Sequence, residues 1–183
     1  MNRIVKMTVG FAVLLGGLLF GGNAAFGGSP EGGAVQLFST PTGSGGGTIV
    51  LTGAVGDSGT VASADSSGMP NPKGQYKLFT LSKGTILINT KKLNGDLNNP
   101  NRPPTTFNMK TCSGTFVVTD PVPVVKGTAA YVGINGMLSV TVTFALVFPL
   151  QHGTCNLSNS GPGPVAQYGS VAGHGSVSFE SHD

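Results

Sequence analysis

Along much of the chain, apolar and polar positions alternate with a period of two. The longest case is Leu138 to Phe148, where Leu138, Val140, Val142, Phe144, Leu146 and Phe148 are apolar. The residues between them, Ser139, Thr141, Thr143 and Ala145, are small or polar. Alternation over 11 residues predicts a strand, at roughly 36 Å long. That length suits a coiled strand in a closed barrel better than a small flat sheet. Tyr168 to Phe179 alternates too, with Val171, Val177 and Phe179 on one face and Gly173 and Gly175 permitting a bend. Thr48 to Val55 is β-prone. Tyr76 to Leu81 and Thr85 to Leu93 flank Ser82-Lys83-Gly84, a connection of hairpin length. Asn94-Gly95 predicts a turn that opens a polar loop through Pro103-Pro104. Thr106 to Cys112 and Thr115 to Thr119 flank Ser113-Gly114, and the proline-spaced Val122 to Val125 reads as loop or edge. With a short leading strand at Val35 to Phe38, the count is about eight strands, and no helix is predicted after residue 28. The fold class is all-β, an antiparallel barrel or sandwich.

Residues 1–28 follow a different pattern. Arg3 and Lys6 precede an uncharged apolar stretch, Met7 to Phe20, and small residues including Ala24 and Ala25 follow. That order is the order of a secretory signal peptide. The apolar stretch is 14 residues long, short of the ~20 a spanning helix needs. No stable membrane span is expected after cleavage. Residues 29–46 read as a flexible Gly/Ser/Pro-rich lead-in, and 47–183 as the folded domain.

Composition supports this division. The 183 residues include 30 glycines, no tryptophan and few charges, which argues against a helical bundle. Ten Lys or Arg against seven Asp or Glu give a net charge of +3 and a pI near 9.0. Arg3 and Lys6 belong to the leader, so the mature chain is close to +1, and its basic residues are scattered. Nucleic-acid binding needs clustered cations; no such partner is expected. Cys112 and Cys155 are the two cysteines, and in an oxidising compartment such a pair most often forms one disulfide. A zinc site would have to gather His152, His174 and both cysteines from separate segments, a poor pattern for zinc. Export places the protein outside the cell or in its envelope.

Two stretches carry a resemblance. Gly53 to Val61 reads GAVGDSGTV, and Gly127 to Pro149 reads GTAAYVGINGMLSVTVTFALVFP. Together they are similar to the allene oxide cyclase-like and dirigent-like barrel proteins, in particular their small secreted bacterial members. The closing GSVAGHGSVSF, Gly169 to Phe179, resembles the final strands of such barrels. Ala129 stands where the usual motif has a second glycine. The resemblance implies an eight-stranded, calycin-like antiparallel barrel around an apolar cavity. It also implies cyclase or isomerase chemistry on a small hydrophobic ligand without a cofactor, and self-association, since dirigent-like relatives are often trimers.

Candidate chemistry is sparse. Gly56-Asp57-Ser58-Gly59 matches the serine-protease nucleophile sequence, yet no histidine precedes Ser58, as that arrangement requires. Asp57, after a strand near one barrel end, is a candidate general acid or base, with turn capping as the competing role. Tyr131 is a candidate hydrogen-bond donor to a ligand. His174, between glycines, is a candidate facing the barrel mouth. These three are the catalytic candidates; no residue is a candidate for cofactor or metal binding. Two functions are expected from this pattern: a secreted barrel that binds a small hydrophobic ligand, or a non-enzymatic extracellular or envelope interaction protein.

Overall fold

The computed structural model describes residues 31–42, 46–99, 101–151, 153–156 and 163–180. The predicted leader, His152 and His182 lie outside the described residues. In chain order the elements are β1 (Gly33–Pro41), β2 (Gly47–Gly53), β3 (Asp57–Ala64), β4 (Tyr76–Leu81) and β5 (Gly84–Asn89). There follow α1 (Lys91–Leu97), β6 (Thr106–Asn108), β7 (Ser113–Gly127) and, after a single 3-10 turn at Ala129–Tyr131, β8 (Ile134–Val147). β9 (Leu150–Gln151), β10 (Thr154–Cys155) and β11 (Ala166–Phe179) complete the chain. Eight of these strands run antiparallel in the order β5-β4-β3-β2-β1-β11-β8-β7, and a β5–β7 pairing closes the barrel.

Sequence expectations shift at several places; the expected Asn94-Gly95 turn, for one, lies inside α1. The short leading strand expected at Val35 to Phe38 is longer, Gly33–Pro41, and replaces most of the flexible lead-in with a barrel strand registered against β2 and β11. Its inward residues Val35 and Leu37 are each 2% exposed, so two apolar anchors override the surrounding glycines. β3 was invisible because its inner face carries Asp57, Gly59, Val61 and Ser63, with only one sizeable apolar side chain. The strand expected to reach Leu93 ends at Asn89 and gives way to α1. Asn89 Oδ1 accepts from the Lys91 N–H at 3.0 Å, and the four-residue spacing of Leu93 and Leu97 puts both on one helical face, against the core.

β7 is a continuous 15-residue strand through Pro121 and Pro123. Of the two expectations for this segment, loop or edge, the loop gives way and the edge reading holds. β7 pairs with β6 only at Ser113–Thr115 and with β5 only from Val124 onward. Between them that flank has no strand partner. Val117 sends both its N–H, to Thr105 Oγ1 at 3.0 Å, and its C=O, to Arg102 at 3.1 Å, toward this flank. Two-residue alternation points the nitrogens of Pro121 and Pro123 the same way, where a missing donor costs the ladder nothing. α1 and the loop after it lie along this free flank. The preceding hairpin turns at residues 109–112 rather than at Ser113-Gly114, because Asn108 Oδ1 takes the N–H groups of Lys110 and Thr111.

The two barrel ends differ. At one end lie the β2–β3 and β4–β5 turns and the 3-10 turn between β7 and β8. Val35, Leu51, Leu81, Ile86, Val122, Ile134, Leu138 and Val177 fill the interior behind them. Gly53 makes its turn at φ 75°, and a Cβ on Gly127 would meet Tyr131 and Ile134. At the other end lie the β1–β2 turn, the start of β4, α1, and the Cys112–Cys155 disulfide, whose Cα atoms are 5.3 Å apart.

Candidate functional site

Asp57 opens β3, and its carboxylate reaches the other two reversals at the closed end. Oδ1 accepts from the Ser58 N–H at 2.7 Å, the Ser82 hydroxyl at 2.6 Å and the Ser82 N–H at 3.3 Å. Oδ2 accepts from the Lys83 N–H at 3.0 Å and the Tyr131 hydroxyl at 2.6 Å. Burial pushes this carboxyl up. The hydrogen bonds from Ser82, Tyr131, Ser58 and Lys83 outweigh burial and hold it well below the usual carboxylate range. Tyr131 is 2% exposed; burial, then the hydrogen bond to Asp57 and its charge, push the phenol well above its ordinary value. A carboxylate loaded with five donors is a poor base, and a phenol so held is a poor acid near neutrality. The pair works as a clasp.

The structure therefore brings Asp57 and Tyr131 together and leaves His174 apart. His174 faces outward and is exposed, because Val171, Gly173, Gly175 and Val177 hold the inward parity of β11. Its registered neighbours are Gln36 and Ser139. The expected orientation toward the mouth is corrected by this two-residue alternation.

The interior is not filled at the open end. A cavity of about 420 Å³ extends inward there, within the roughly 300–1,000 Å³ of small-molecule sites. Its wall includes Leu37, Ile49, Phe79, Ile88, Val140 and Val142. The room comes from modest inward side chains near the rim, such as Ser39 and Val61. Around the mouth stand Thr42, Lys77, Thr90, Asn94 and Gln167, and Leu93 and Leu97 of α1 form part of the wall. Neither Asp57 nor Tyr131 lines this space.

Two further side chains were missed in the sequence. Lys77 shares the inward face of β4 with Phe79 and Leu81; the alternation in Tyr76–Leu81 carried that signal. Asp120 shares the inward face of β7 with Val118, Val122 and Val124 and is 3% exposed. Lys92 of α1 bridges Asp120 and Asp96, so α1 is held by an ion pair as well as by Leu93. The carboxylates of Asp120, then Asp96, raise the Lys92 ammonium pKa and keep it charged. Among the described residues no group of three His, Cys, Asp or Glu side chains gathers as a metal site would need. No described helix is long and apolar enough to cross a membrane. Compared with family models, with curated proteins and with solved structures, the chain finds no match.

Proposed function

We propose that this protein is an exported barrel that holds a small hydrophobic ligand in its interior, admitted at the open end. The observation that supports the reading is the mostly apolar cavity of about 420 Å³ above a tightly filled lower half. Burying a ligand's apolar surface there releases on the order of 25 cal/mol per Å². The disulfide agrees with an oxidising compartment outside the cytoplasm. Catalysis is not assigned to Asp57 and Tyr131, which close the far end. Native mass spectrometry of protein purified from its own host tests the reading directly. A bound small molecule that dissociates on denaturation is the expected result. A spectrum of bare protein, together with no uptake of any apolar dye, sinks it.

A second reading is favoured by one feature of the outer surface. Phe38 and Val50 are directly paired across β1 and β2 and are 50% and 46% exposed. Such a pair suits a surface that contacts another protein or a second copy. In that reading the barrel is a scaffold, and emptying the cavity leaves the partner interaction unchanged.

A further inference from the structure

The open half of the barrel holds a second space beside the main cavity. It measures about 230 Å³ and lies between the inner face of β7 and β8 and the end of α1 with the loop that follows. Phe116, Val118 and Leu146 form its strand wall. Its polar lining is Asn99 and Arg102, and Arg102 donates to the Val117 carbonyl at 3.1 Å. Among the described residues, Leu97 and Phe144 alone line both this space and the main cavity. Two apolar side chains therefore stand between a space of about 420 Å³ and one of about 230 Å³. Burial points the same way. Behind the clasp the inward apolar side chains are sealed, Val122 at 0% exposed and Leu138 at 2%. At the other end of the same two strands, Phe116, Phe144 and Leu146 hold the inward parity yet are only half-buried, as is Leu97 on α1. Interior apolar surface left this open is stabilised by being covered. Phe144 has room beside it because its registered partner on β11 is Gly169, where a Cβ would meet the ring at 3.2 Å.

We infer that the two spaces form one two-chambered site, whose ligand is a flexible apolar chain that fills the main cavity and turns past Leu97 and Phe144 into the side chamber. The inference rests on the ligand-binding reading and adds the shape of the ligand. A compact ring system fills one chamber and leaves the apolar surface of the other uncovered; a chain covers both. Neither Leu97 nor Phe144 is locked by dense packing, since both are half-buried. A change of side-chain rotamer moves each aside without breaking a strand ladder or the helix. Inward parity turns Phe116, Phe144 and Leu146 away from any partner on the outer surface, so the covering group has to come from inside the barrel.

The test uses the full chain, stripped of ligand on a hydrophobic resin, and straight-chain primary alcohols that lengthen by one methylene at a time. Affinity is expected to rise about fourfold per methylene until the chain fills both chambers. Leu146 lines the side chamber and not the main cavity. Leu146→Trp is therefore expected to end the rise several carbons earlier and to leave the binding of short alcohols unchanged. The sequence has no tryptophan, so Phe116→Trp places a single indole in the side-chamber wall. A bromine at the tail of a long alcohol is expected to quench that indole, and the bromine of a short alcohol at saturation is not. A rise that ends at the same length with and without Leu146→Trp overturns the second chamber while leaving the cavity reading standing. Equal quenching by short and long chains overturns it as well. Binding of no alcohol of any length overturns both. Should Leu146→Trp not fold, the quenching comparison decides. Should neither variant fold, the unaltered protein decides: a long chain is expected to bind roughly tenfold more tightly than a fused-ring alcohol of equal carbon number, and equal binding overturns the inference.

Discussion

At the closed end one carboxylate, Asp57, gathers donors from three chain reversals, and apolar side chains fill the space behind it. At the open end a covalent bond, Cys112–Cys155, ties the start of β7 to the β8–β11 connection, and the interior stays hollow. The contrast shows how a small barrel keeps a cavity without losing its shape. The strand ends that packing cannot hold are held by a disulfide outside the barrel, leaving the inner wall free. The ends that nothing enters are held by a polar clasp. It follows that the two ends answer to different conditions: the open end to reductant, the closed end to pH.

The largest expected effect breaks the open end. Replacing both cysteines with serine, or reducing the bond, costs about 4 kcal/mol of unfolding free energy by the chain-entropy estimate for a loop of this size. Urea titration with and without reductant measures it. Hydrogen exchange in the variant is expected to rise around residues 109–115 and 147–156 while the amides of Ser58, Lys83 and Tyr131 stay protected. Equal loosening of both ends contradicts the division of labour.

The next effect breaks the closed end. Asp57→Asn places an amide donor against the hydroxyls and N–H groups that now meet a carboxylate, at a cost of about 3 kcal/mol. The same substitution changes the pH profile. Because the folded carboxyl titrates below its unfolded value, its contribution is present above about pH 4 and is lost as the pH falls. Asp57→Asn is expected to flatten the acid limb of a stability–pH curve. A residual slope remains, from Asp65, held low by Ser67, and Asp96, held low by Lys92. An unchanged acid limb means the clasp is not what holds this end.

Much of the barrel could be read from residue patterns, and the reasons for the failures are physical. Leu138–Phe148 was visible because one face is apolar and the other mostly small or polar, and Tyr76–Leu81 because it is a short β-prone run before a hairpin-length link. They became β8, offset by a few residues, and β4. β3 failed that test because its inner face gives up bulk to the cavity and to the clasp. α1 failed because seven residues are too few for a clear helical period. The partnership of Asp57 with Tyr131 could not be seen, since 74 residues separate them and only barrel closure brings them together. Lys77 and Asp120 were legible in principle: each is a charged residue at an apolar parity, and such misfits are where a strand's inward face carries something besides packing.

Tyr131→Phe sharpens the comparison by removing one donor from the clasp and little else. Its cost is expected at about 2 kcal/mol, the range for a hydrogen bond to a charged group. Its pH signature is the mirror of that of Asp57. The folded phenol titrates above its unfolded value near 10, so its contribution is full below about pH 10 and is lost as the pH rises. Tyr131→Phe is expected to flatten the alkaline limb and leave most of the acid limb intact. Ligand uptake is expected to be unchanged, because neither clasp residue touches the cavity.

The smallest effect is a gain, and it concerns the one described non-glycine residue with positive φ at the closed end. Ala129 starts the 3-10 turn that presents Tyr131 to Asp57, and it does so at φ 52°, the left-handed region that favours glycine. Ala129→Gly relieves the strain but also frees the unfolded chain, so the net gain is about 0.5–1 kcal/mol. The corresponding position at the open end, Cys112 at φ 50°, cannot be relieved in this way because its side chain carries the disulfide. Thermal unfolding of Ala129→Gly, alone and combined with Tyr131→Phe, measures whether the relief acts through the clasp. If it does, the gain shrinks when the hydroxyl is absent. If the gain is the same in both backgrounds, the turn is stabilised by its own backbone and merely carries Tyr131 into place.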